Sequence, residues 1–245
     1  ACTSPDGRGD YRILTGQELC GLLTHFKLSR LSSAGSLPES PVVITTEVTT
    51  GKVTRVARHF GAQVVNDILV GFKYHADVMW QLESTGQYGD VKGRVDDVII
   101  AVEESHGFIT TPHLRDKDSA GAALLLAELA LHLKRQGRTV PGFLDDLARQ
   151  FGYFRNELLN IVMTGVEGKR DMARMMDALR ASPPAEVGGL PVAGYEDLRD
   201  EDGRFGPFKG GTDRAARNLL VFRLGGNGLP DGKVCLRPSG TEPKA

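Results

Sequence analysis

The stretch D96-DVIIAVEESHG-F108 decides the fold. Val98 to Val102 form an unbroken apolar run, the pattern of a strand buried on both faces, which favours a parallel sheet covered by helices. Polar and acidic residues follow at once, Glu103 to His106. In an open α/β sheet, ligands bind beyond the carboxyl ends of the strands, so this loop is a candidate site. Adjacent residues on an extended loop point to alternate sides, so Glu103 and Ser105 can face the same way. A carboxylate and a hydroxyl together suit vicinal sugar hydroxyls. The same residues read equally as a solvated acidic loop.

Working outward, strands and helices alternate over residues 16–150. Thr15 and Glu18 have the spacing of a capping box, and Leu19, Leu22, Leu23 and Phe26 form one helical face. The β-branched run PVVITT (41–46) and AQVVN (62–66) read as strands. Val53, Val56, Ala57 and Phe60 keep helical period between them. Helices are expected at 72–82, after Gly71, and over 118–136, with Asp118 or Ser119 as cap. Another is expected from Val140, with Pro141 near its start. This order predicts an α/β layered domain with a mostly parallel sheet. Beyond residue 150 the expectation is a strand over 156–165 and a helix over 168–182. Strands then follow at 192–198, 218–224 and 233–236, the last two joined by a turn in GGNGLPDG. That is a smaller α+β unit with one helix.

Composition narrows the chemistry. The 245 residues carry a formal net charge of −1, so no global basic field recruits nucleic acid. No apolar run approaches the roughly 20 residues of a membrane helix. Three scattered cysteines make neither a disulfide framework nor a zinc site, and a reducing, cytoplasmic setting fits them. The six histidines lack metal-ligand spacing, so no metal site is expected within this chain.

Three cationic stretches stand out. In LRPSGTE (236–242), Arg237 offers a planar fork for phosphate oxygens, and Ser239 and Thr241 offer hydroxyls. Gly240 permits close backbone approach there. A polar hairpin end rich in turn formers has the same composition. Arg115 and Lys117 precede the helix at 118–136, whose N-terminus attracts anions. Lys73 follows Gly71 at a strand-to-helix turn. A hydroxyl reader and three cationic anchors in a nearly neutral chain suit a small anionic sugar.

With these motifs in hand, the chain resembles the α-D-phosphohexomutase family: phosphoglucomutases, phosphomannomutases and their phosphopentomutase and glucose-bisphosphate synthase relatives. LTGQEL (14–19), GFKY (71–74), EESHGF (103–108), RDKDSAGAALLLAELA (115–130) and RPSGTEPK (237–244) carry the resemblance in the family's order. It implies that Glu103 and Ser105 contact sugar hydroxyls. It implies that Arg237, Ser239, Gly240 and Thr241 hold the phosphate that is not reacting, with Lys73 and Lys117 as further contacts. His106 receives no role. The resemblance further implies a remnant of a preceding domain at 1–14, a sugar-reading α/β domain at 15–152, and a truncated phosphate-binding α+β domain at 153–245. Family members carry a phosphoserine loop and a magnesium loop of D-x-D-x-D-R type, and neither pattern occurs here. The expectation is therefore a segment of a longer enzyme, inactive alone. Mg²⁺ and the reacting serine would come from upstream domains of the same chain, and a glucose 1,6-bisphosphate-type activator is implied. Without those domains the alternative is a stand-alone sugar-phosphate-binding or regulatory module.

Overall fold

The computed structural model describes residues 2–5, 9–226 and 229–238. The chain divides into two compact units, 1–156 and 157–245.

The first unit opens with an antiparallel pair, β1 (Cys2–Pro5) and β2 (Tyr11–Leu14). Helix α1 (Gly16–Ser33) follows, and its capping box forms as expected. Thr15 Oγ1 accepts from the Glu18 amide at 3.2 Å, and Glu18 Oε2 accepts from the Thr15 amide at 2.9 Å. β3 (Val42–Thr46), α2 (Gly51–His59), β4 (Gln63–Ile68) and α3 (Phe72–Thr85) come next. A short pair, β5 (Gln87–Tyr88) and β6 (Val91–Lys92), leads to β7 (Val98–Glu103), β8 (Gly107–Ile109), α4 (Ser119–Arg135) and α5 (Val140–Phe151).

The sheet order is β4-β3-β7-β8. β3 pairs parallel with both β4 and β7, and β8 adds an antiparallel edge. Every residue of β7 is buried, as its continuous apolar run predicts. Val43, Ile100 and Val102 join a core with α1, α2, α4 and α5. Val42, Ile44 and Ala101 join a second core with α3. These are three layers, helices on each face of a mostly parallel sheet. β8 corrects the sequence reading of an extended loop past β7: residues 103–107 form a tight hairpin, with Glu103 paired to Gly107. Glu103 itself ends the strand.

The second unit has α6 (Gly165–Ala181), β9 (Glu186–Val187), β10 (Leu190–Asp197), α7 (Gly211–Ala216), β11 (Leu220–Gly226) and β12 (Leu229–Leu236). Its antiparallel sheet runs β12-β11-β10-β9. Met176 of α6 packs on Leu220 and Phe222, with Leu179, Val192, Leu224 and Leu236 around them. The expected strand over 156–165 does not form, and only Val162 makes an isolated bridge. Leu158 and Leu159 are 83% and 79% exposed. A β-favouring run without a ladder and a buried face gains nothing from being extended. The GGNGLPDG turn is shorter than expected, because β11 continues to Gly226 and β12 starts at Leu229.

Candidate functional site

Because β3, β4 and β7 are parallel, their carboxyl ends lie together: Thr46 pairs with Ile68, and Thr45 with Val102. The segments after these strands therefore meet at one sheet edge, the place where ligands bind in such sheets. They are 47–50, 69–71 and 104–106.

The 104–106 turn is held from several sides. Glu104 Oε2 accepts from the Thr46 and Thr49 hydroxyls at 3.4 and 3.3 Å, and Oε1 accepts from Ser105 Oγ at 3.2 Å. Behind the turn, Cys20 Sγ lies 3.4 Å from the Glu103 carbonyl oxygen. Gly16 opens α1 directly beneath it, where a Cβ would lie 1.7 Å from the Glu104 carbonyl oxygen. Gly107 packs on Phe72, whose ring would be 2.3 Å from a Cβ at that position. His106 has a φ of 62°, the one positive value at a non-glycine among the described residues. Ser105 is exposed, whereas Glu103 is 8% exposed at the strand end. Glu104, which sequence reasoning passed over, is the carboxylate that ties β3's loop to β7's.

Lys73 is exposed one residue into α3, its Nζ 4.9 Å from the Tyr74 ring centre. Gly71 caps the helix with a φ of 124°, which disfavours any side chain there. The turn is tied to β7 by His75, also missed from sequence. Its Nδ1 is 3.3 Å from the Gly71 carbonyl oxygen and its Nε2 3.3 Å from that of Val102. Burial lowers the His75 pKa, partly opposed by the two carbonyls. The neutral ring carries one N–H and so donates to one carbonyl at a time.

The loop before α4 is capped by Asp118, one of the two caps expected, whose carboxylate accepts from the Ala120 and Gly121 amides at 3.0 Å each. The helix N-terminus expected to attract an anion already holds one. Arg115 pairs with Glu83 of α3 at 2.8 Å. Lys117 is exposed.

In the second unit, Arg237 follows β12 and is exposed. Ser239, Gly240 and Thr241 lie outside the described residues. Asp197 pairs with Leu220, and Leu220 with Leu236, so the ends of β10 and β12 share one sheet edge with the start of β11. The 199–217 segment is organised by Arg217, 2% exposed. Its guanidinium pairs with Asp213 at 2.7 Å and donates to the carbonyls of Gly206, Phe205 and Pro207 at 2.6, 3.2 and 3.4 Å. The Phe205 and Phe208 rings flank it at 5.3 Å. No group of three or more His, Cys, Asp or Glu among the described residues could hold a metal ion. No helix among them is long and apolar enough to cross a membrane.

A mostly parallel sheet between two helical layers, with a polar hairpin turn at its carboxyl edge, defines an α/β/α domain. Residues 15–151 match the family model for phosphoglucomutase/phosphomannomutase, alpha/beta/alpha domain III. The chain belongs to the phosphoglucomutase/phosphomannomutase family. It is 27% identical over 240 residues to the phosphoglucomutases of Staphylococcus aureus strains bovine RF122 / ET3-1 and N315, covering 98% of this chain. The chain spans 40% of the length of those relatives. Among solved structures it is similar in fold to the exocytosis-sensitive phosphoprotein pp63/parafusin, a phosphoglucomutase from Paramecium, in its open form. That match has a TM-score of 0.53 and 16% identity, and covers 94% of this chain and 35% of the other.

Proposed function

We propose that this chain supplies the sugar-hydroxyl and phosphate contacts of a phosphohexomutase, an enzyme moving phosphate reversibly between O1 and O6 of a hexose. The observation that carries the reading is the 104–106 turn. It stands at the carboxyl edge of a sheet whose family is shown, beside the Lys73 helix start. In this reading Ser105 and the low-exposure carboxylate of Glu103 take sugar hydroxyls. A charged acceptor contributes more to such a bond than a neutral one, roughly 1.5–3 kcal/mol. Lys73 and Lys117 offset substrate charge. Arg237, with Ser239, Gly240 and Thr241, grips the phosphate that is not reacting, as a planar fork suits. The domains so assigned are 15–152 for the sugar and 153–245 for the phosphate.

Phosphoryl transfer depends on positioning and charge neutralisation. The reading leaves the phosphoserine, Mg²⁺ and any glucose 1,6-bisphosphate-type activator to sequence outside these residues, and no step through them is assigned to this chain. Calorimetric titration with glucose 6-phosphate tests the proposal. Weak binding is expected, reduced by Ser105→Ala and by Arg237→Ala. Unchanged affinity in both variants overturns it. The chain alone is expected to show no conversion of glucose 1-phosphate, and measurable turnover would remove the division of labour proposed here.

A further inference from the structure

His75 is fully buried, the only histidine of the chain that is. Its ring stands between the backbones that carry two of the residues given roles above. Nε2 lies 3.3 Å from the Val102 carbonyl oxygen, one residue before Glu103. Nδ1 lies 3.3 Å from the Gly71 carbonyl oxygen, two residues before Lys73. The Phe72 ring stacks on the imidazole, with 4.6 Å between centres and 14° between planes. That phenyl ring also packs on Gly107, where the hairpin turn re-enters the sheet. The two rings thus fill the space between the first turn of α3 and the end of β7.

The two carbonyl contacts are not equivalent. Gly71 is four residues before His75, so the Nδ1 contact lies within the start of one helix and fixes nothing outside it. The Gly71 carbonyl also accepts from the Tyr74 amide at 3.0 Å, so it keeps a partner without the ring. The Nε2 contact crosses from α3 to β7, and Val102 is the last β7 residue paired with β3. Apolar packing by Phe72 is non-directional, whereas a hydrogen bond has a preferred distance and angle. The Nε2 contact therefore sets where the helix start stands against the strand end. Burial favours the neutral ring, which has a single N–H to place.

We infer that His75 is a positioning residue for the phosphosugar site, its Nε2–H donating to the Val102 carbonyl so that Lys73 and Glu103 meet one ligand at a fixed separation. This rests on the reading of Lys73, Glu103 and Ser105 as phosphosugar contacts.

Titration of the whole chain with glucose 6-phosphate tests it. A glutamine amide reaches the place of Nε2 and an asparagine amide that of Nδ1. His75→Gln therefore keeps the bond across to β7, and His75→Asn keeps only the bond inside α3. His75→Asn is expected to lose about fivefold in affinity, and His75→Gln to stay within about twofold of the parent. Each variant buries an amide oxygen that faces a carbonyl, so a purely structural role would move both together. Circular-dichroism melts fix a titration temperature at which each is folded. Equal losses in the two variants, or parent affinity in His75→Asn, overturn the positioning role. Lys73→Ala and Ser105→Ala report on the reading beneath it. Losses in these with none in His75→Asn leave that reading standing and remove the inference alone. No loss in either, or no binding by the parent, removes both. NMR of the imidazole nitrogens in the unaltered chain does not depend on how the variants fold. The proton is expected on Nε2, and a proton held on Nδ1 overturns the inference.

Discussion

The Glu104 carboxylate lies 3.3 Å from the Thr49 hydroxyl and so joins the loop after β3 to the turn after β7. Thr49 is in turn 2.8 Å from Thr46 Oγ1, which also reaches Glu104. This clamp shapes the turn that carries Ser105. Glu104→Ala is expected to cost about 1 kcal/mol of stability, within the usual range for lost hydrogen bonds, and Glu104→Gln less. Urea melts measure the first effect. Hydrogen exchange should show faster opening of the 104–107 amides in the alanine variant.

Gly107 has no room for a side chain. A Cβ there would stand 2.3 Å from the Phe72 ring, which belongs to a well-filled core. Gly107→Ala should therefore destabilise the first unit by about 1–3 kcal/mol, the ordinary cost of overpacking. A paired Phe72→Leu change should recover part of the loss, and additive losses in a double-mutant cycle would contradict the contact.

Acid should loosen the α1–α2–α5 junction. His25 sits 5.4 Å from the Phe60 and Phe143 rings and 5.7 Å from that of Phe151. Burial, and then the neighbouring His59, lower its pKa from 6.5 to about 4. The folded state thus binds fewer protons than the unfolded state between these values, and stability falls as pH drops from 6.5 towards 4. The loss is on the order of 2 kcal/mol after discounting the ring's partial exposure. His75, also lowered by burial, acts in the same direction. Urea melts across this window should show a shallower pH dependence for His25→Phe than for the parent.

Removing Arg217 leaves Asp213 and the carbonyls of Phe205, Gly206 and Pro207 without their donor. Arg217→Ala should cost about 3–5 kcal/mol, the usual result of breaking one side of a buried pair. Arg217→Lys should recover little, since a single ammonium cannot reach this fan of acceptors. Early melting of the second unit and loss of amide protection over 205–210 are the expected signals.

Local order was legible in the sequence wherever neighbours along the chain decide it. The Thr15–Glu18 box, the helical periods and the buried run at 98–102 depend on residues within a few positions of each other. The RPSGTE composition and the GFKY and EESHGF spellings likewise sufficed to suggest a phosphohexomutase segment, and the family match over 15–151 agrees.

Only the tertiary structure decided what depends on distant partners. The aliphatic run at 156–165 reads as a strand, yet it finds no ladder. Glu104 looks like loop charge until Thr46 and Thr49, more than 50 positions away, are placed beside it. His75 and Arg217 look like surface polar residues, yet each is buried against backbone carbonyls, His75 reaching Val102 across the sheet and Arg217 the 205–207 turn. A strand needs an edge to pair with, and a buried polar group needs its acceptors brought to it. Periodicity and motif spacing carry neither, because both are set by how the elements pack.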